Sequence, residues 1–349
     1  MTALRAGTTE GDPDGNWEAA YGAVIRAPRA DRRDLFLAAA ARLGTPLGNV
    51  EKDFWVCWTL AALFRGRAAG EPRLLFKSGT SLSKAYGLIE RFSEDVGVTV
   101  FRDDLAHPAS VEALEALPGR RRRAAHDAIR DACRAYVTGS LRAALAARVA
   151  DATDGAGQVT VDPADPDGQS LLVAYPSVEA TPDADPYVRP VVRIESGAKS
   201  SLDPHRAATV RPYVGGELPA LALAVPGVLT IEPARTFWDK VVIAHGLRRW
   251  YERRGVLRQE GQRVSRHYYD LHRLLQSDVG RAALAAGRPR ARGRLRAPRA
   301  RVLRPPGLRP RLGAARHVRG RARAGHDRRA RPRLRRDVGH DLRAGACLH

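Results

Sequence analysis

Residues 74–100, LLFKSGTSLSKAYGLIERFSEDVGVTV, restrict the fold more than any other part of the chain. LLFK is a short apolar run of the kind that forms a buried strand. SGTSLSK is a bend crowded with small and hydroxyl side chains that opens a helix, and DVGVTVF alternates with the period of a second strand. Two strands alone bury too little to be stable, so this unit needs more strands beside it and helices over it. The rest of the chain supplies them. DRRDLFLAAAARLG and NVEKDFWVCWTLAALFRG have helical spacing, the second with Phe54, Trp58, Ala61 and Leu63 near one stripe and Trp55 off it. QSLLVAYP, VRPVVRIESG and HRAATVRPYV read as strands, and residues 109–151 as one or two helices interrupted at Pro118-Gly119. GVLTIEPARTFWDKVVIAHGLRRWYERR passes from a strand into a long helix with Pro233 in its first turn, and SRHYYDLHRLLQS is a further helix. The class is α+β or α/β, with a helical C-terminal half.

Charge enters because the formal net charge of +21 suggests a nucleic-acid binder. Its distribution argues otherwise. From Gly287 to His349 there are 21 arginines against three aspartates, which accounts for +18 and leaves +3 for the first 286 residues. That segment contains no Phe, Tyr, Trp, Ile or Met and is predicted to be disordered. Two readings stay open for it: an arginine-rich arm that contacts phosphates, or a stretch of a GC-rich gene read out of frame. Cys57, Cys133 and Cys347 are isolated, which excludes a disulfide framework and a Cys-based zinc site. Without a long apolar run or an apolar leader, the expectation is a soluble, cytoplasmic protein with no membrane partner.

The bend and the second strand point to phosphate and metal chemistry. Transfer of a nucleotidyl group is an in-line attack on phosphorus, usually with divalent cations held by carboxylates. A strand supplies such carboxylates as Asp-x-Asp, because residues i and i+2 project from one face. Here Asp95 has Gly97, not an acid, at i+2, and Glu94 points the other way. The bend lacks the spacing of a P-loop. Lysine usage is a separate hint: of 59 basic residues only five are lysines, Lys52, Lys77, Lys84, Lys199 and Lys240. A compact ammonium is a common phosphate partner.

The run FKSGTSLSKAYGLIERFSEDVGVTV resembles the first motif of the AbiEii/AbiGii-type nucleotidyltransferase toxins of abortive-infection and type IV toxin–antitoxin systems. That pattern is approximately Lys-Gly-Gly-Thr-Ser-Leu, a helix, then Arg-Phe-Ser-Glu-Asp-Ile-Asp. Lys77, Gly79, Thr80, Ser81, Leu82, Lys84, Arg91, Phe92, Ser93, Glu94 and Asp95 match it as they stand. Ser78 replaces a glycine and Gly97 replaces the second aspartate. VEKDFWVCWTLAALF, VRPVVRIESGAKSSLDPH, EPARTFWDKVVIAHG and SRHYYDL follow as further motifs in the family's order, so that the resemblance covers most of residues 30–280.

The resemblance implies a polymerase-β-like nucleotidyltransferase core, a mixed sheet with flanking helices. It implies a nucleoside triphosphate substrate, Mg²⁺, an RNA acceptor such as a tRNA, and a cognate antitoxin as partner, in phage defence. Asp95 and Glu195 would hold the metal. Lys77, Gly79, Thr80, Ser81, Lys84 and Ser93 would bind the nucleotide or order the loop. Lys240 would neutralise the triphosphate, and Asp270 would orient that lysine or help deprotonate the acceptor. The domain boundaries expected are a flexible N-terminus at 1–30, the core at 31–215, a helical lobe at 216–285 and the basic tail at 286–349. With Gly97 in place of an acid, one Mg²⁺ can be held but two are difficult, so transfer should be impaired. The alternative is a catalytically inactive nucleotide- or RNA-binding relative, or a decayed gene product.

Overall fold

Three helices precede the first strand: α1 (Trp17–Ile25), α2 (Arg29–Leu43) and α3 (Leu47–Phe64). Helix α2 ends at Gly44, whose φ of +61° is the left-handed conformation that closes a helix and that glycine adopts without penalty. These elements belong to a computed structural model that describes residues 17–179, 189–200, 202–256 and 264–286. All of these lie in one unit, residues 1–300; a second unit, 301–349, lies outside the described residues, and so does the whole arginine-rich segment from 287 on. The expectations for the tail and for residues 1–16 therefore also fall outside them.

Residues 17–30 differ from the expected flexible arm. Trp17 and Tyr21 are buried, Tyr21 packs on Phe54 with ring centroids 5.2 Å apart, and its hydroxyl donates to the carbonyl of Leu223 at 2.9 Å. Two large aromatic rings in one short helix bury enough apolar surface to hold it on the core.

The strands and helices that follow are β1 (Leu74–Lys77), α4 (Ser78–Lys84), β2 (Asp95–Val100), α5 (Val111–Ala116), α6 (Gly119–Tyr136) and α7 (Arg142–Ala152). Then come β3 (Gln158–Val161), β4 (Ser170–Ala174), β5 (Val191–Glu195), β6 (His205–Val210) and β7 (Val225–Ile231). The described chain closes with α8 (Pro233–Arg254), α9 (Val264–Gln276) and α10 (Asp278–Ala285). The seven strands form one mixed sheet in the order β3-β4-β5-β2-β1-β7-β6, with β1/β7 and β2/β5 parallel and the other pairs antiparallel. Because β7 lies inside the sheet, next to β1, the helical lobe begins at α8 and not at residue 216.

Strand alternation separates the two faces. Leu74 and Phe76 of β1, Val96, Val98 and Val100 of β2, and Val192 and Ile194 of β5 share the main core with α3. That helix is buried on almost every side, which is why Trp55, off the apolar stripe, is as buried as Trp58 and stacks on Tyr175 with centroids 5.0 Å apart. The intervening residues Lys77, Asp95, Gly97, Arg193 and Glu195 therefore project from the opposite face. On that side α4 meets the C-terminal helices through Leu82, Ile89, Phe237, Leu274 and Ala283.

No helix among the described residues is long and apolar enough to cross a membrane.

Candidate active site

The register of the sheet builds the site. Lys77 stands opposite Gly97 across the antiparallel β1/β2 pair, and Gly97 stands beside Glu195 in the parallel β2/β5 pair. Asp95 lies two residues before Gly97 on the same face. The Glu195 side chain is 49% exposed; partial desolvation first, and then the charge of Asp95, raise its carboxyl above the usual glutamate range, with Arg193 at 2.9 Å pulling the other way. The two carboxylates named from the sequence are thus brought within electrostatic reach of each other. Lys77 donates to Ser200 Oγ at 2.8 Å, and burial lowers its ammonium against the opposing charges of Asp239 and Glu195.

The hydroxyls of the bend mostly brace it. Thr80 Oγ1 hydrogen-bonds the Asp95 carbonyl and lies 2.8 Å from Ser93 Oγ, and Ser81 Oγ donates to the Ser78 carbonyl at 2.8 Å. Ser83 Oγ donates to the Thr80 carbonyl at 3.2 Å. Thr80, Ser81 and Ser93 are buried, so they order the loop and fix it to the start of β2. Gly79 lies close against Arg91: a Cβ there would run into the guanidinium that Asp270 holds, and that side chain would have to shift.

Helix α3 pins both ends of this segment. Asp53 is ion-paired with Lys84 at the end of α4 and accepts the Tyr213 N–H at 2.7 Å; Lys52 bridges Glu94 at 2.7 Å just before β2. Lys84, expected at the nucleotide, instead has its ammonium in the interior, 3.6 Å from the centroid of the Tyr213 ring. Burial alone would depress that ammonium, and the Asp53 charge more than offsets it. An ammonium that the fold holds in a dry interior needs a paired carboxylate, and Asp53 supplies it.

Lys240 and Asp270 meet as expected, with Nζ to Oδ2 at 2.7 Å, but a third residue joins them. Arg91 grips the same carboxylate with both ends of its fork, at 2.6 and 2.8 Å. Burial would raise Asp270; the Arg91 hydrogen bond and the Lys240 charge outweigh it and hold the carboxyl below the usual range. Both oxygens are engaged and the side chain is wholly buried, so Asp270 holds Arg91 and Lys240 together. One helical turn earlier on α9, Arg266 reaches Glu94 at 3.3 Å and Asp95 at 3.8 Å, which sets the Lys240–Asp270–Arg91 group beside the acidic edge.

Two residues of this neighbourhood carried no role in the sequence reading. Arg91 stood there only as a motif match. Asp239 neighbours Lys240 in sequence; its side chain is 55% exposed and pairs with Arg235 at 3.2 Å. Its signal was available as an acid preceding the one lysine of an otherwise apolar helical face.

The profile of the family described as Nucleotidyl transferase AbiEii toxin, Type IV TA system, matches residues 61–339. The chain belongs to the AbiEii nucleotidyltransferase toxin family. The matched span takes in every strand and the site residues from Lys77 to Asp270, leaves out Lys52 and Asp53 of α3, and runs past residue 285, further than the quoted motifs reach. Among solved structures, MenT4, a nucleotidyltransferase toxin from Mycobacterium tuberculosis H37Rv, is similar at 15% identity and a TM-score of 0.35. The similarity covers 61% of this AbiEii chain and 59% of MenT4, so the chain spans under two thirds of that protein's length. No curated protein matches the chain.

Proposed function

We propose that this AbiEii-family chain transfers a nucleoside monophosphate from a nucleoside triphosphate to an RNA acceptor, at a rate reduced by the glycine at position 97. The observation that carries the reading is the shared sheet face of Asp95 and Glu195, with Lys77 opposite and the hydroxyl-braced bend beside it. Two carboxylates on one sheet face, close enough for the charge of one to add to the desolvation of the other, suit a hard divalent cation that completes its shell with phosphate oxygens and water. Among the described residues no three His, Cys, Asp or Glu side chains cluster as a metal site; with Gly97 in place of an acid, two carboxylates plus phosphate oxygens suit one ion better than two. Asp95 and Glu195 would hold Mg²⁺, and the bound ion would supply charge stabilisation at the phosphate.

The chain's own residues do the rest. Lys77 and Arg266 neutralise the phosphate chain, while Asp270 holds Arg91 and Lys240 fixed behind the bend. Fixed dipoles and charges need no reorganisation as the transition state forms, and a single such donor is worth about 10²–10³ in rate. The missing carboxylate at 97 should cost at least that much. A second reading, nucleotide binding without transfer, is favoured by the same glycine. Base-labelled or α-labelled NTPs incubated with total RNA separate the two. Label moving to RNA with wild-type chain but not with Asp95→Asn supports the transferase. Retained nucleotide binding with no label in RNA supports the binding protein.

A further inference from the structure

Lys77, Gly97 and Glu195 form one row across three strands, and its middle member has no side chain. The space is not open. A Cβ built on Gly97 would lie 2.7 Å from Ser78 Oγ, 2.9 Å from Ser78 Cβ and 3.1 Å from the Lys77 carbonyl. Ser78 reaches that place only by holding φ at +81°, a left-handed conformation that glycine adopts freely and serine does not. A strained residue that persists is held there by its surroundings and marks a site worth testing for function. The hydroxyl bears this out. Thr80, Ser81, Ser83 and Ser93 all spend theirs on the bend, whereas Ser78 Oγ has no hydrogen-bond partner among the described residues.

We propose that the Ser78 hydroxyl supplies the third protein oxygen of the cation–triphosphate site, from the place that a side chain at position 97 would occupy. This rests on the proposed function above and extends it. The exchange replaces a charged donor with a neutral one, so the protein contributes two negative charges there instead of three. Such a site takes a cation already carried by a triphosphate more readily than a free one, because the phosphates supply the charge the protein lacks. It also couples positions 78 and 97 sterically: one side chain fits between Lys77 and Glu195, and two do not.

Mn²⁺ binding to the full chain, followed by electron paramagnetic resonance with an α,β-methylene NTP analogue present, tests this together with melting temperature. Ser78→Ala keeps the backbone conformation and its strain and removes only the oxygen. It should leave melting unchanged and weaken Mn²⁺ binding about tenfold, the scale seen when a supporting polar partner of a metal site is lost. Gly97→Asp alone should lower the melting temperature without tightening Mn²⁺. Combined with Ser78→Gly, it should restore melting and bind Mn²⁺ more tightly than wild type. Ser78→Ala binding as tightly as wild type, while Asp95→Asn does not bind, would reduce Ser78 to a filler and leave the proposed function standing. Gly97→Asp alone melting as wild type with tighter Mn²⁺ would refute the shared space. Wild-type chain that binds no Mn²⁺ would overturn the proposed function and this inference together.

Discussion

Replacing Asp270 by alanine is the most informative single perturbation of the structure. The carboxylate is fully buried and receives Arg91 at 2.6 and 2.8 Å and Lys240 at 2.7 Å, and the side chains of those two cations are themselves 17% and 9% exposed. Removing one partner of a buried ion pair leaves the remaining charge uncompensated and typically costs about 3–5 kcal/mol. Here Arg91 can lean on the Phe92 carbonyl at 3.3 Å and Lys240 on His267 Nδ1 at 3.3 Å, which places the loss at the lower end. For a folded unit of this size each kcal/mol lowers the melting temperature by about 2–4 °C, so a fall of roughly 10 °C is expected by calorimetry of the full chain. The pH profile gives a second handle. The native carboxyl lies below its unfolded value of about 3.9, so its contribution is complete above that pH and is lost as pH falls through the native value. The difference in melting between wild type and Asp270→Asn should therefore stay level from pH 8 to 5 and shrink only in stronger acid. A fall under about 2 °C for Asp270→Ala, or a difference already fading between pH 7 and 5, would refute the network's role.

Lys84→Ala leaves Asp53 buried without its cation and should cost about 3–5 kcal/mol in chemical denaturation. At temperatures where this variant is folded, its nucleotide binding should match wild type. Tyr21→Phe deletes the hydrogen bond to Leu223 and should cost about 1 kcal/mol, read by the same denaturation. No effect would mean that residues 17–25 are not part of the core.

The strand–bend–helix–strand unit was legible because its signals are local: the period of two in residues 95–100, the small residues of the bend, and the glycine two places after Asp95. Glu195 was named through the family resemblance; the alternation of its strand then sets it on the face opposite Val192 and Ile194. Long-range choices left no such trace. Two lysines flank the bend alike in sequence, yet Lys77 faces the site and Lys84 the interior, because Asp53 lies on a helix 31 positions earlier. Arg91 matched the family motif but carried no role there; its partner, Asp270, lies 179 residues away. The insertion of β7 beside β1 is a parallel pairing across more than a hundred residues, which no local pattern encodes. Helix α3 hides its stripe because it is covered on both sides, and its consecutive Glu51, Lys52 and Asp53 look like solvent residues until each finds a buried partner.

The central claim is that one divalent cation sits between Asp95 and Glu195 with a nucleotide on the bend. Anomalous scattering from a crystal of the full chain grown with Mn²⁺ and a non-hydrolysable NTP locates the ion directly. The account predicts a single peak at the sheet face that carries those two carboxylates, with the nucleotide bound at residues 77–81. A peak elsewhere, or a nucleotide bound away from the face that carries Lys77 and Gly97, would contradict it.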